Sequence, residues 1–235
     1  MERTLHQQLK HLYADDESNT EVTIGSFRID AIRDDELIEI QCASLSAIKD
    51  KTRRLLTRHK LRIVKPVIAR KRISKVTEPG AAPTSSRMSP KRGSVLDVFE
   101  ELIYFTKIFP HPNLVIEVPL LQVEEFRAPP GKRRSRRQRW KKKFQVADVN
   151  LVSIDETHEF RTSNDLVKLL GWKRKPKRFN TADLATVIDR PRWVAQQIAY
   201  VLRNINAIKQ IERKREGIVY GFTTKRRSPK KRNAA

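Results

Sequence analysis

The sequence predicts an α/β domain with a mixed sheet, followed by a small α+β domain. Three observations predict it. Leu5, Leu9, Leu12 and Tyr13 recur at helical spacing near the start. Short runs rich in Val, Ile and Leu then interleave with helical runs as far as Phe160. From Thr162 onward the pattern changes to short helices and a closing hairpin.

Residues 2–14 form the expected first helix. "EVTI", "FRIDAIR" and "ELIEIQ" read as three strands, the last two joined by a turn at Asp34-Asp35. "SLSAIKDKTRRLLTRH" reads as a helix, with Ser44 or Ser46 as cap and Ile48, Leu55 and Leu56 as its apolar stripe. "LRIVKPVIARKRI" returns as one or two strands. Residues 77–93 are rich in Pro, Gly and Ser and read as a loop. "SVLDVFEELIYFTKIF" reads as a helix, and "NLVIEVPLLQVEEF" and "FQVADVNLVSIDETHEF" as strands.

Charge points to the partner. The chain of 235 residues carries 50 Lys and Arg against 27 Asp and Glu, a formal net charge of +23. Such a field attracts polyanions, nucleic acid first and an anionic membrane surface second. No apolar stretch approaches the roughly 18 residues that span a bilayer. The opening "MERTLHQQLKHLYADD" has no signal-like apolar region, so a cytoplasmic protein is expected. One cysteine, Cys42, excludes a disulfide framework or a Cys-based zinc site within this sequence, and the five His show no metal spacing.

The stretch "RIDAIRDDELIEIQ", residues 28–41, poses a chemical problem. Pairing outward from Asp34-Asp35 sets Arg33 opposite Glu36, Ile32 opposite Leu37, Ala31 opposite Ile38, and Asp30 opposite Glu39. Opposed side chains lie about 4.5–5.5 Å apart at Cβ, where like charges repel. Gln41 falls on the same face as Glu39. Something must neutralise the two acids. A hard divalent cation, Mg²⁺ or Mn²⁺, held by Asp30 and Glu39 is one solution. Solvation on an edge strand, or pairing with nearby Lys and Arg, is the other.

Asp30 followed by "EIQ" at 39–41 and a basic amphipathic helix resembles the PD-(D/E)xK nuclease superfamily, over roughly residues 1–76. The resemblance implies a restriction-endonuclease-like sheet and Mg²⁺-dependent cleavage of phosphodiester bonds, in DNA before RNA. It implies that Asp30 and Glu39 bind the metal and that Gln41 positions the attacking water. Gln41 stands where Lys is usual, as in the CoiA-like branch with its "EIQ" strand. Gln orients water but supplies no charge, so Lys49 on the following helix is a candidate to replace it, while Lys51 is read as solvated. Glu2 fits the place of an acid that recurs on the preceding helix, and His6 is a further candidate that is read rather as a surface or half-buried helper. The whole chain is similar to a bacterial domain-of-unknown-function family with such a front and a C-terminal winged helix.

The C-terminal part reads helix, turn, helix, hairpin, which looks like a winged helix-turn-helix. Thr181 caps a helix carrying Leu184, Val187 and Ile188. The next helix buries Val194, Ile198, Val201, Leu202 and Ile205 and exposes Arg192, Gln196, Gln197, Tyr200 and Arg203. Arg and Gln suit base edges and phosphates. A hairpin turning at Glu216-Gly217 would offer Arg213, Lys214 and Arg215 to a backbone. Nine of the twelve residues from Lys132 to Lys143 are Lys or Arg, among them Arg136, Arg137 and Lys141. This run and the tail serve as electrostatic arms.

The expected organisation is therefore a nuclease-like domain at 1–127, a basic linker and strand at 128–161, the winged helix at 162–222 and a basic tail at 223–235. The leading function is a metal-dependent nuclease targeted by the winged helix. The alternatives are a non-catalytic DNA-binding protein on the same domains and a basic RNA-associated protein.

Overall fold

The computed structural model describes residues 4–16, 19–130 and 144–223. The chain divides into two compact units, Met1–Thr162 and Ser163–Ala235.

The first unit is a mixed sheet with helices. Helix α1 (Thr4–Tyr13) buries Leu5, Leu9 and Tyr13 at four-residue spacing, whereas Leu12, expected in that stripe, is exposed. Its buried face packs on Ala31, Ile38, Ile40, Val64, Leu121, Val123 and Val149. Strands β1 (Thr20–Ile24), β2 (Phe27–Arg33) and β3 (Glu36–Ile40) form an antiparallel meander. Asp34 and Asp35 have φ of 47° and 61°, which fits the right-handed twist of a two-residue hairpin turn. The register is Arg33 on Glu36, Ile32 on Leu37 and Ala31 on Ile38, as the sequence predicts, but the ladder ends there, so the expected Asp30–Glu39 pair is not part of it.

After β3 the chain cannot turn back directly, because a parallel neighbour needs a crossover. A 3-10 turn at Leu45–Ile48 and helix α2 (Lys49–Leu55) supply it. The Ser44 side chain accepts from the Ser46 N–H, capping the turn. Strand β4 (Lys60–Val64) then runs parallel to β3, and β5 (Val67–Lys75) continues beyond Pro66. Both lie parallel to β7 (Leu114–Ala128): Leu61 faces Leu114 and Val67 faces Leu120. Strand β8 (Gln145–Phe160) pairs antiparallel with β7 from Ile116 to Ala128. The strand grouped with the basic linker in the sequence reading is thus part of the first unit's sheet.

Two local expectations fail. Within 77–93, Ser85–Met88 forms an exposed strand β6 against β5, hidden by its loop-like composition. The helix expected over 94–109 shrinks to α3 (Val98–Leu102), after which turns bury Phe105, Ile108 and Phe109. Ile103, Tyr104, Phe105 and Thr106 are β-branched or aromatic, and such residues favour helix weakly.

One buried ionic cluster crosses the sheet. Arg62 of β4 donates through Nε to Glu36 at 2.7 Å and through Nη1 to Glu159 at 2.6 Å and to Glu117. The Tyr13 hydroxyl donates to the same Glu117, and burial together with that carboxylate pushes its pKa up. Burial alone would lower the Arg62 pKa, but the carboxylates outweigh it and raise it.

The second unit holds α4 (Ser163–Lys168), α5 (Thr181–Ile188), α6 (Arg192–Asn204) and a two-stranded antiparallel sheet of β9 (Ile208–Lys214) and β10 (Gly217–Phe222). Asn180, not Thr181, caps α5: its Oδ1 accepts from the N–H groups of Ala182 at 2.7 Å and Asp183 at 3.1 Å. Asp183 Oδ2 returns the bond to Asn180 N–H at 2.8 Å, closing a capping box one residue earlier than expected. The hairpin turns at Arg215-Glu216, since Gly217 pairs with Lys214. Trp172, Phe179, Tyr220 and Phe222 form an aromatic cluster with centroids 5.1–6.5 Å apart.

The Arg62 cluster generates a prediction. Arg62→Met leaves the buried Glu117 and the half-buried Glu36 without their cation and should destabilise the fold by roughly 2–4 kcal/mol. Adding Glu117→Gln should recover part of that loss. Urea unfolding of the parent and both variants checks it; an additive double mutant contradicts the cluster.

Candidate functional site

Strands β2 and β3 part company after Ala31 and Ile38, and the two acids sit at that fork. Asp30 Oδ2 accepts the Ile40 N–H at 2.8 Å, so a side chain takes a backbone donor there. The Ile40 carbonyl oxygen lies 2.9 Å from His6 Nε2, so both polar groups of that residue are held. Lys10 Nζ stands 3.3 Å from Asp30 Oδ1, and His6 Nε2 stands 3.6 Å from Asp30 Oδ2. Lys10 also donates to Glu21 at 2.5 Å, and Glu21 pairs with Arg28.

Glu39 has a different partner. Lys51 Nζ on α2 donates to Glu39 Oε2 at 2.5 Å and to the Arg28 carbonyl. Lys51, read from the sequence as solvated, has a side chain only 20% exposed and binds the acid. Two helices thereby serve the two acids: α1 through Lys10 serves Asp30, and α2 through Lys51 serves Glu39.

The two carboxylates titrate in opposite directions. Burial pushes Asp30 up, but hydrogen bonds from His6 and Ile40 N–H and the Lys10 charge bring it below the usual carboxylate range. Burial pushes Glu39 up as well, and the neighbouring Asp30 charge adds to it; Lys51 offsets this only in part, so Glu39 stays above its ordinary value.

Gln41 shapes the exit from β3. Its Nε2 donates to the Ser44 carbonyl at 2.8 Å, and its backbone N–H donates to Val64 O at 2.8 Å. Glu101, which sequence reasoning missed, anchors the same turn: it accepts from Leu45 N–H at 2.8 Å and Ser44 Oγ at 3.0 Å and pairs with Lys65 at 3.1 Å. No local pattern could have linked Glu101 to Ser44, which precedes it by 57 residues. Lys49 is half-buried on α2, and of the two lysines it is Lys51 for which a bond to the acids is found. Glu2 lies outside the described residues.

Among the described residues, no group of three His, Cys, Asp or Glu side chains converges to hold an ion. Asp30 and Glu39 remain a two-carboxylate site. That suits Mg²⁺, which binds through one or two carboxylates and keeps several waters.

In the second unit, α6 buries Ala195, Ile198, Ala199, Val201 and Leu202. Gln196, Tyr200 and Arg203 are exposed as expected, and Gln197 is half-buried. Arg192 is exposed but engaged: it donates to Thr181 Oγ1 at 3.2 Å and to the Glu216 carbonyl at 2.9 Å. Arg213, Lys214 and Arg215 are exposed at the hairpin tip. Trp193, not singled out by the sequence, is 59% exposed on α6. Arg136, Arg137 and Lys141 lie outside the described residues.

Residues 3–161 match a family model described as "Domain of unknown function (DUF8091)", and the chain belongs to that family. The match spans nearly the whole first unit. The chain is also similar to an uncharacterised protein of Treponema pallidum (strain Nichols), 28% identical over 185 residues, which cover 78% of this chain and 71% of that protein. No solved structure matches. No helix among the described residues is long and apolar enough to cross a membrane.

The two acids should separate in a stability–pH profile. Asp30, held low, contributes stability above the ordinary carboxylate pKa that is lost as pH falls through its folded value. Glu39, held high, contributes stability below its unfolded pKa that is lost as pH rises through its folded value. At neutral pH Asp30→Asn should cost on the order of 1–3 kcal/mol, a gap that closes on acidification. Glu39→Gln should cost less and improve relative to the parent as pH rises. Urea midpoints across the acid-to-neutral range test this, and a larger neutral-pH loss from Glu39→Gln contradicts it.

Proposed function

We propose that this protein is a metal-dependent phosphodiesterase of the PD-(D/E)xK type, acting on nucleic acid, DNA before RNA. The observation that carries the reading is the joining of Asp30, Glu39 and Lys51 at one fork of the sheet. It is supported by the element order α1-β1-β2-β3-α2-β4, with an antiparallel meander and a parallel fourth strand. It is also supported by the formal charge of +23.

Asp30 and Glu39 would hold Mg²⁺ or Mn²⁺. When bound, such an ion lowers the pKa of its water and stabilises charge on phosphoryl oxygens. Asp30 is kept ionised for this role by His6, Lys10 and the Ile40 N–H. Glu39 would exchange its Lys51 partner for the metal. The freed ammonium then faces the phosphate and supplies the positive charge that Gln41 lacks. Gln41, tied to Ser44, fixes the end of β3. The second unit, read as a winged helix with α6 as its exposed helix and β9–β10 as its wing, holds the nucleic acid.

One observation favours a second reading, a nucleic-acid-binding protein without catalysis. Both carboxylates already have cationic partners from the chain itself. Incubation of the protein with plasmid, single-stranded DNA and RNA, in Mg²⁺, Mn²⁺ or EDTA, separates the two. The catalytic reading expects cleavage that EDTA stops. Glu39→Ala should reduce it to background while binding is kept, and Lys51→Ala should slow it roughly a hundredfold. Binding without cleavage in either metal gives the second reading, and cleavage that survives EDTA removes the metal.

A further inference from the structure

We infer that the exposed face of α6 is a stacking surface for unpaired bases, so that the second unit takes single-stranded nucleic acid in preference to duplex. The inference rests on the nucleic-acid reading of that unit and names its substrate form.

Trp193 is 59% and Tyr200 44% exposed, in a unit whose other large aromatics, Trp172, Phe179, Tyr220 and Phe222, pack on one another. They are seven residues apart on one helix. At 100° per residue that leaves them about 20° apart around the axis and about 10.5 Å apart along it. The two rings therefore share one stripe, separated by roughly three base steps of 3.4 Å. Gln196 and Arg203 are exposed on the same side. The helix sequence "RWVAQQIAYVLRN" contains no acid. At the neighbouring hairpin, Arg213, Lys214 and Arg215 are exposed, while Glu212 is paired with Arg178 at 3.1 Å.

The chemistry selects the form of the polyanion. A duplex hides its base faces in the stack and offers only edges and phosphates, for which Gln and Arg suffice. A protruding indole or phenol ring offers a π-face, and only an unstacked base can lie against it. An aromatic pair flanked by carboxamide and guanidinium groups, on a surface without unpaired acid along the helix, fits a strand whose bases are free.

The test uses the full chain with a 2-aminopurine-labelled single strand and the duplex of the same sequence, over a range of salt. Trp193→Ala and Tyr200→Ala should each weaken single-strand binding roughly 5- to 150-fold. Duplex affinity should stay within about twofold, because phosphate contacts are untouched. The slope of log affinity against log salt should not move, since neither ring touches phosphate. Trp193→Phe should restore most of the single-strand affinity and the 2-aminopurine quenching. Equal losses on strand and duplex, or no loss on the strand from either change, overturn the inference while leaving nucleic-acid binding in place. A parent chain that binds neither form overturns both the inference and the reading beneath it.

Discussion

Strand β7 is the constraint on which the first unit depends. One edge carries β4 and β5 in succession, and the other carries β8. Its residues from Leu114 to Pro119 are buried, so it behaves as a central strand, with a nearly unbroken apolar run. The exception within that run is Glu117, and Arg62 answers it from β4. A one-residue slip of β4 along β7 would turn Arg62 to the opposite face and strand the charge. The ion cluster thus fixes which residue of β4 lies on which residue of β7. Because β3 is paired to β4, the same lock sets where Glu39 and Ile40 stand.

The fork between β2 and β3 shows how a fold tolerates opposed acids. The like-charge cost is met by unequal treatment of the two groups. Asp30 receives a backbone donor, an imidazole and an ammonium from α1; Glu39 receives one ammonium from α2. One acid is thereby kept charged while the other retains affinity for a proton.

What the sequence discloses follows the distance over which each interaction acts. The β2–β3 register is local, set by Asp34-Asp35 and the alternation around it, and it was readable residue by residue. Most of the buried stripe of α6 was readable for the same reason, although Val194 is half-buried and Ala195 and Ala199 take its place. Lys51 was not: whether a helix lysine reaches back depends on the crossover angle, which no spacing within α2 reveals. The Glu101 anchor and the long pairing of β8 with β7 join distant segments and leave no periodic trace. Asn180 displaced Thr181 as the cap because both are good caps and only the backbone angles choose between them. Trp193 sits at the start of α6, where its ring would pass for a core residue by type alone.

Arg192 gives the second unit a mechanical property. Its guanidinium reaches from the first turn of α6 to Thr181, where α5 begins, and to the Glu216 carbonyl in the hairpin turn. One side chain therefore fastens three elements at a single point, on a surface otherwise held by helix and strand packing. Although exposed, this arginine holds the hairpin turn against the start of the helix. Removing it would loosen the spacing between the hairpin turn and the helix. Charge-scanning mutagenesis at this position would therefore report on the geometry of the unit as much as on its surface charge.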